Sequence, residues 1–401
     1  MASFVKRCWP TGFSLLRRIS TGSRNFADKK LGPQMMMMSR GVNSSSSPWL
    51  LLPPVFQEDG GDMVYKFYNL SEDKEESFPR NSEEKLVDDD AKVVGSSHGY
   101  LALFNQRNNN HLFLYNPINL TPDGRGSVSK LILSSSPDDD DDECIALMIF
   151  GPERRLAFCN PCRSTEWTPI GELYCYVKNK GIFRRSYVDI VYSSTQKLFF
   201  CQTNNGPLEC WDLADSLSPR VWEFRGTNYW WRFLKHTSAA ITRVNLVYAE
   251  EYNQLFVVTR YVFERMESDG TLGYPIYFGK YRGWDNSSPY RTIWLDAYRI
   301  DFGVEKSQLL EGSLDGLAMF IGINHSIAIS PTLQLKLTSN CIYYTDTNSV
   351  PIPPNAFYGG HDIGIYDYTN RTISPCYYFP FDVEGIKRIM PAPLWFTPCH
   401  Q

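Results

Sequence analysis

Four groups of residues in this chain are of types that can do chemistry. Cys159-Asn160-Pro161-Cys162 has the C-x-x-C spacing that chelates half a zinc site or exchanges thiols. No second C-x-x-C follows, and the pair does not open a helix, so the spacing favours a turn with incidental cysteines. Cys144 and Cys175 are the thiols that folding would have to bring in to complete a site. His98, in Ser96-Ser97-His98-Gly99, and His325, in Asn324-His325-Ser326, are candidate general bases if a nucleophile lies within hydrogen-bond reach. The glycine that follows both His98 and Asp315 argues instead for a tight turn entering a strand. Asp212, Asp296, Asp301 and Asp367 stand beside aromatic residues, where they suit either paired carboxylates for glycoside cleavage or ordinary strand-end turns. His111, His236, His361 and His400 show no metal-ligand spacing. There is no nucleophile elbow, Walker loop or H-E-x-x-H, and Gly279 and Gly283 do not open a helix after a strand. The sequence therefore assigns no catalytic residue, cofactor or metal, and an enzyme is disfavoured.

The strongest candidate for recognition is aromatic. Tyr229, Trp230, Trp231 and Arg232 form the densest aromatic–basic segment, and Arg282 and Trp284 occupy a glycine-bounded loop. Exposed, such residues suit a protein hot spot or base stacking; alternating burial inside a sheet explains the first segment equally well. The overall charge weighs against nucleic acid. Removing the five positive charges Lys6, Arg7, Arg17, Arg18 and Arg24 from the formal net charge of −4 leaves −9, which repels a phosphate backbone. Organellar RNA binding would require Arg243, Arg260, Arg265, Lys280, Arg282 and Arg291 to converge on one face.

The elements that must position these residues read as short strands. The composition includes 24 Tyr, 24 Phe and 10 Trp, with 27 Gly and 25 Pro to punctuate turns. GYLALFNQRNNNHLFLYNP at 99–117 is two apolar runs around an Asn-rich turn, and 155–170, 187–213, 244–263, 314–330 and 362–378 share that layout. SSHGYLALFN (96–105) resembles SLDGLAMFIG (313–322), and IVYSSTQKLFFCQ (190–202) resembles LVYAEEYNQLFVVT (246–259). Repeats at intervals of about 40–60 residues predict an all-β, β-propeller-like array of small antiparallel sheets over 48–401, with six or seven blades; a sandwich or two barrels is the alternative. The runs at Asp138–Glu143 and within 71–90 lack calcium-loop spacing and read as solvated loops.

Residues 1–26 are Arg-rich and free of acids, and Phe13, Leu16 and Ile19 fall at helical spacing beside Arg17 and Arg18. This predicts a disordered basic N-terminus that acts as a mitochondrial targeting presequence, with processing between Phe26 and Ala27; chloroplast or dual targeting is the variant. Residues 27–47, with Met35–Met38 and Ser44–Ser47, read as a low-complexity linker. No apolar run approaches the roughly 20 residues of a spanning helix. The ten cysteines accompany no secretory signal, so no disulfide framework is expected.

Several segments, in order, carry a family resemblance: SPWLLLPP (47–54), VVGSSHGYLALFN (93–105), LFLYNPINL (112–120), VDIVYSSTQKLFFC (188–201), LFVVTRYV (255–262), GSLDGLAMFIGINHSIAIS (312–330) and NCIYYTDT (340–347). Together they resemble the plant family called domain of unknown function 295, the F-box-associated or KIB-type β-propellers. Many relatives place an F-box before this domain and dock to ubiquitin ligases. Here the region before Trp49 has no room for one, so the chain is similar to the organellar branch. The resemblance implies a propeller with a stress-responsive role. The expected function is a non-enzymatic mitochondrial protein that presents loops to a protein partner, with a propeller hydrolase or RNA binder as rivals.

Overall fold

The computed structural model describes residues 48–52, 55–56, 63–79, 91–98, 100–105, 111–115, 128–136, 144–161, 163, 167–177, 181–204, 207–224, 240–264, 290–303, 306–332, 335–346, 362–376 and 393–396. Their regular elements are strands joined by turns, apart from one 3-10 turn at Glu250–Tyr252.

The strands group by sequence. The first set is β1 (Trp49–Leu51), β2 (Val55–Phe56), β3 (Met63–Asn69) and β4 (Lys74–Pro79). The second is β5 (Ala91–Ser97), β6 (Tyr100–Asn105) and β7 (His111–Tyr115), and the third β8 (Val128–Leu133), β9 (Ala146–Phe150), β10 (Arg155–Cys159) and β11 (Thr168–Ile170). A separate hairpin, β12 (Tyr174–Val177) and β13 (Gly181–Arg184), precedes the fourth set: β14 (Tyr187–Ser193), β15 (Leu198–Thr203), β16 (Leu208–Asp212) and β17 (Arg220–Phe224). The fifth is β18 (Ala240–Ala249), β19 (Gln254–Glu264), β20 (Tyr290–Asp301) and β21 (Lys306–Leu309). The sixth is β22 (Ala318–Ile321), β23 (Ile327–Ile329), β24 (Cys341–Tyr344), β25 (Gly364–Asp367) and β26 (Thr372–Ser374), and β27 (Leu394–Phe396) ends the series.

Within sets two to five, consecutive strands pair antiparallel in chain order, as hairpin connections dictate. The sixth departs from that meander: β23 folds back on β22, and β24 then pairs β22 in parallel. One parallel bridge, Tyr248 to Ile327, links the fifth and sixth sets into a continuous sheet. Neighbouring sets touch through β27 and β5, β5 and β8, β8 and β14, β14 and β18, and β18 and β22 or β23. The ring is completed by the chain ends. β27 pairs with β1, which pairs with β3, and the Trp395 indole donates to the Ile321 carbonyl at 3.1 Å.

The apolar core lies between sets rather than inside any one. Ile132, Leu147, Ile149 and Phe158 of the third pack against Ile190, Phe199 and Trp211 of the fourth. Val191, Phe200 and Cys210 of the fourth meet Leu246, Leu255 and Tyr298 of the fifth. Leu50, Phe320, Tyr343 and Trp395 seal the junction of the chain ends with the sixth. A small sheet has two apolar faces and cannot cover both alone, so the sets pack in a closed circle. Among the described residues this makes six blades of a β-propeller, the lower of the two numbers expected.

Candidate functional site

The middle of the ring is polar and tightly bonded. Asp189, midway along β14, accepts from Lys130 Nζ of β8 on one oxygen and from the Leu246 backbone N–H of β18 at 2.7 Å on the other. Ser97 Oγ accepts from Leu133 N at 3.2 Å, His325 N donates to the Ser96 carbonyl at 3.1 Å, and Asn245 Nδ2 donates to the Gly322 carbonyl at 3.3 Å. Apart from the His325–Ser96 bond, which crosses from the sixth blade to the second, these bonds run from one blade to the next around the axis. Burial pushes the Asp189 carboxyl up, against Lys130 and the Leu246 and Ile190 amides, which hold it down. His325 is pushed down to about 3, first by burial and then by His98 and Lys130. The two imidazole centroids are 6.3 Å apart.

A propeller enzyme predicts perturbed titratable groups at this place, and perturbation is present. Its cause is burial, and both oxygens of Asp189 are occupied by groups that join blades. His98 and Asp315 have φ of 47° and 56°, and Gly316 follows at 82°, so the two similar segments share the left-handed turn their sequence implies.

Two further networks bind buried cations. Arg260 of β19 donates to Thr292 Oγ1, to the Thr345 carbonyl at 2.7 Å and to Asp362, with its guanidinium 4.9 Å from the Tyr344 ring centre. Arg185 donates to Glu209 and, at 2.9 Å, to Glu223, while Tyr187 OH and Trp211 Nε1 each donate to Glu209 at 2.8 Å. Arg260 is thus fully enclosed and cannot join a phosphate-binding face. Arg243 is exposed and Arg291 half-buried. Arg265, Lys280 and Arg282 lie outside the described residues. The convergence that RNA binding requires is broken at Arg260.

One open feature among the described residues is a cleft of about 530 Å³ where the β14–β15, β18–β19 and β20–β21 turns meet. It is lined by Gln196, Asn253, Gln254, Arg299, Ile300, Asp301, Phe302 and Gln308. The turns are fixed to one another by Glu250, whose carboxylate accepts from Ser194 N at 2.6 Å, Thr195 N at 3.1 Å and Thr195 Oγ1 at 2.7 Å. Gln196 Nε2 donates to Asn253 Oδ1 at 3.0 Å, and Gln254 Nε2 to the Ile300 carbonyl at 2.7 Å. Arg299 is held by Asp315 at 3.1 Å and Gln308 Oε1 at 3.2 Å. Phe302, 37% exposed, lies 5.6 Å from Phe200 and 5.3 Å from Phe224 by ring centres, bridging the fourth and fifth blades. Side-chain amides beside a ring face offer donors, acceptors and apolar area together, which is what a polypeptide surface requires of its receptor.

The remaining sequence candidates fare differently. Tyr229, Trp230, Trp231, Arg232, Arg282, Trp284, Phe26 and Ala27 all lie outside the described residues, as do Cys162, His236, His361 and His400. Cys159 ends β10 and shares a buried apolar cluster with Cys144, whereas Cys175 belongs to the separate β12–β13 hairpin. Among the described residues no group of three or more His, Cys, Asp or Glu is placed to hold a metal ion, and no helix is long and apolar enough to cross a membrane. Asp212, Asp301 and Asp367 accept from the amide two residues on, at 3.1, 2.9 and 2.9 Å, which is turn chemistry. Asp296 takes the Trp294 indole at 2.8 Å and the Tyr261 hydroxyl at 3.2 Å. Sequence reasoning missed the cleft. The one available signal was the likeness of 190–202 to 246–259, whose turns form two of its walls.

No curated protein matches the chain. Solved structures similar to it include the Myceliophteria thermophila Cps50 (Swd1) β-propeller domain, at 10% identity over 83% of this chain and 86% of that one, with a TM-score of 0.34. A Lactobacillus plantarum protein shares 7% identity over 66% and 82%, at 0.33, and a chain of the yeast Nup82-Nup159-Nup116 nucleoporin complex 10% over 80% and 96%, at 0.31. The KIB1-4 beta-propeller family model matches residues 67–367, a span that takes in strands of all six blades, and the chain therefore belongs to the KIB1-4 beta-propeller family.

Proposed function

We propose that this propeller is a non-enzymatic interaction protein of mitochondria, in the organellar, F-box-lacking branch of its family, and that it holds a protein partner at the cleft between its fourth and fifth blades. The observation that carries this is the cleft itself. Glu250 and Gln196 bond two of the turns to each other, Gln254 bonds the Ile300 carbonyl beside the third, and that frame presents Phe302 with Gln196, Asn253 and Gln308 around it. Rigid sheets supply the scaffold, and turns supply recognition. Lys130 with Asp189 and Arg260 with Asp362 bond one blade to another, and Arg185 with Glu209 and Glu223 braces the fourth blade, which suits a platform better than a reaction centre. The Arg-rich, acid-free residues 1–26 support mitochondrial delivery, and the family resemblance supports a stress-responsive role.

The test is affinity purification of the tagged chain from isolated mitochondria, with and without nuclease, beside the Gln308→Lys and Phe302→Ser variants. A partner recovered despite nuclease and reduced roughly tenfold or more by either variant is the expected result. Partners that vanish with nuclease, or that ignore both variants, would sink the reading. A diffuse cytosolic signal from residues 1–40 fused to a fluorescent protein would remove its location.

A further inference from the structure

Four side-chain amides line the cleft, and each is tied at one end to the protein, which fixes what its other end offers. Gln254 Nε2 gives both hydrogens away, to the Leu255 carbonyl at 3.0 Å and the Ile300 carbonyl at 2.7 Å, so its Oε1 stands as an acceptor. Gln196 Nε2 donates to Asn253 Oδ1 at 3.0 Å, and its Oε1 is likewise an acceptor. Asn253 is the reverse case. Its Oδ1 takes both Gln196 and the Tyr248 hydroxyl, which leaves the two Nδ2 hydrogens as donors. Gln308 Oε1 takes Arg299 at 3.2 Å, leaving Nε2 to donate. The Arg299 guanidinium, which would otherwise draw an anion, is also tied to Asp315 at 3.1 Å. Among the described residues the cleft therefore presents two acceptors and two donors of settled sense beside the exposed Phe302 ring.

We propose that the cleft holds an extended segment of its partner by the main chain; this rests on the cleft being the partner site. A peptide unit carries one N–H that only donates and one C=O that only accepts, and an extended segment offers both along its length. Receptor groups divided into plain donors and plain acceptors match that pattern. Sugar hydroxyls donate and accept alike and need no such division. A charged motif needs a free counter-ion, and here the guanidinium is already bonded. Main-chain bonds supply affinity with little regard to sequence. Phe302, packed 5.6 Å from Phe200 and 5.3 Å from Phe224 by ring centres, adds a preference for one apolar side chain.

A phage library of random peptides of about ten residues, panned on the purified full chain, supplies the probe. Enriched peptides are expected to share one apolar residue and no common charge. For a selected peptide made synthetically, N-methylation of its central backbone amides is expected to weaken binding roughly tenfold or more, as are Asn253→Asp and Gln308→Glu in the protein. Both substitutions keep the oxygen that Gln196 or Arg299 bonds and exchange the remaining N–H donors for an acceptor. Asp also tolerates the φ of 49° at position 253, so the turn is kept. Binding that is lost with Phe302→Ser yet indifferent to N-methylation, or to both amide substitutions, would overturn the main-chain assignment while leaving the cleft as the partner site. A shared charged motif, or no enriched peptide, would overturn it in the same way. Peptides that ignore Phe302→Ser would sink the cleft as partner site and the main-chain assignment together.

Discussion

Asp189 shows how much this fold asks of a single side chain. It holds the buried Lys130 ammonium from the blade before and the Leu246 amide from the blade after. Asp189→Asn keeps an acceptor for Leu246 but strands the cation, and is expected to cost about 3–5 kcal/mol in urea denaturation. Replacing both partners, with Lys130→Met and Asp189→Leu, should recover only part of that, because the Leu246 N–H then loses its acceptor. Equal stability of the parent and Asp189→Asn would refute this account of the axis. His325 sets a pH dependence of known sign. Its folded value of about 3 lies below the ordinary 6.5, so between those limits the unfolded chain binds a proton that the folded chain refuses. Its contribution is complete above 6.5 and is lost as pH falls toward 3. His325→Gln should lower proton uptake on unfolding near pH 5 by roughly one, measured from the slope of stability against pH; an unaltered slope would refute it.

At the scale of elements, the hairpin turns behave as interlocking parts. The 190–202 and 246–259 segments resemble one another in sequence, and their turns share left-handed residues at Lys197 and Asn253. Glu250 of one turn is bonded by Ser194 and Thr195 of the other. Glu250→Ala is expected to cost about 1–2 kcal/mol and to speed amide exchange at Ser194 and Thr195, while exchange in β8–β11 stays unchanged. Strands and turns were legible here because both are local: apolar runs of strand length, polar turn residues or Gly at positions of positive φ, and Asp two residues before an amide. The cleft was not legible, since its residues Gln196, Asn253 and Gln308 come from three separate turns and form no motif. The parallel pairing of β22 with β24 was equally hidden, because a pattern of apolar residues states which segments are strands and leaves their neighbours open. Burial of Arg260 likewise depends on Asp362, about a hundred residues away in the chain.

For the whole molecule, the decisive contact is the one that joins the two ends. Trp395 is fully buried among Leu50, Phe320 and Tyr343, and its indole bonds the Ile321 carbonyl. Trp395→Ala is expected to remove about 3–5 kcal/mol, and limited proteolysis should then cut first near β1 and β27 rather than in the fourth blade. Cleavage beginning in the fourth blade would show that the joint is not the weak point. Among the described residues, five of the six blades are built from one stretch of chain each, but the first needs β27, far along the chain. A ribosome releases residues 394–396 after every other described strand, and a translocase that threads the amino end foremost delivers them in the same order. Until they arrive, the circle has a gap flanked by bare apolar surface and an unmatched strand. A chaperone that shields that gap, or a truncation that never fills it, would thus decide the fate of the whole propeller through the three residues of one strand.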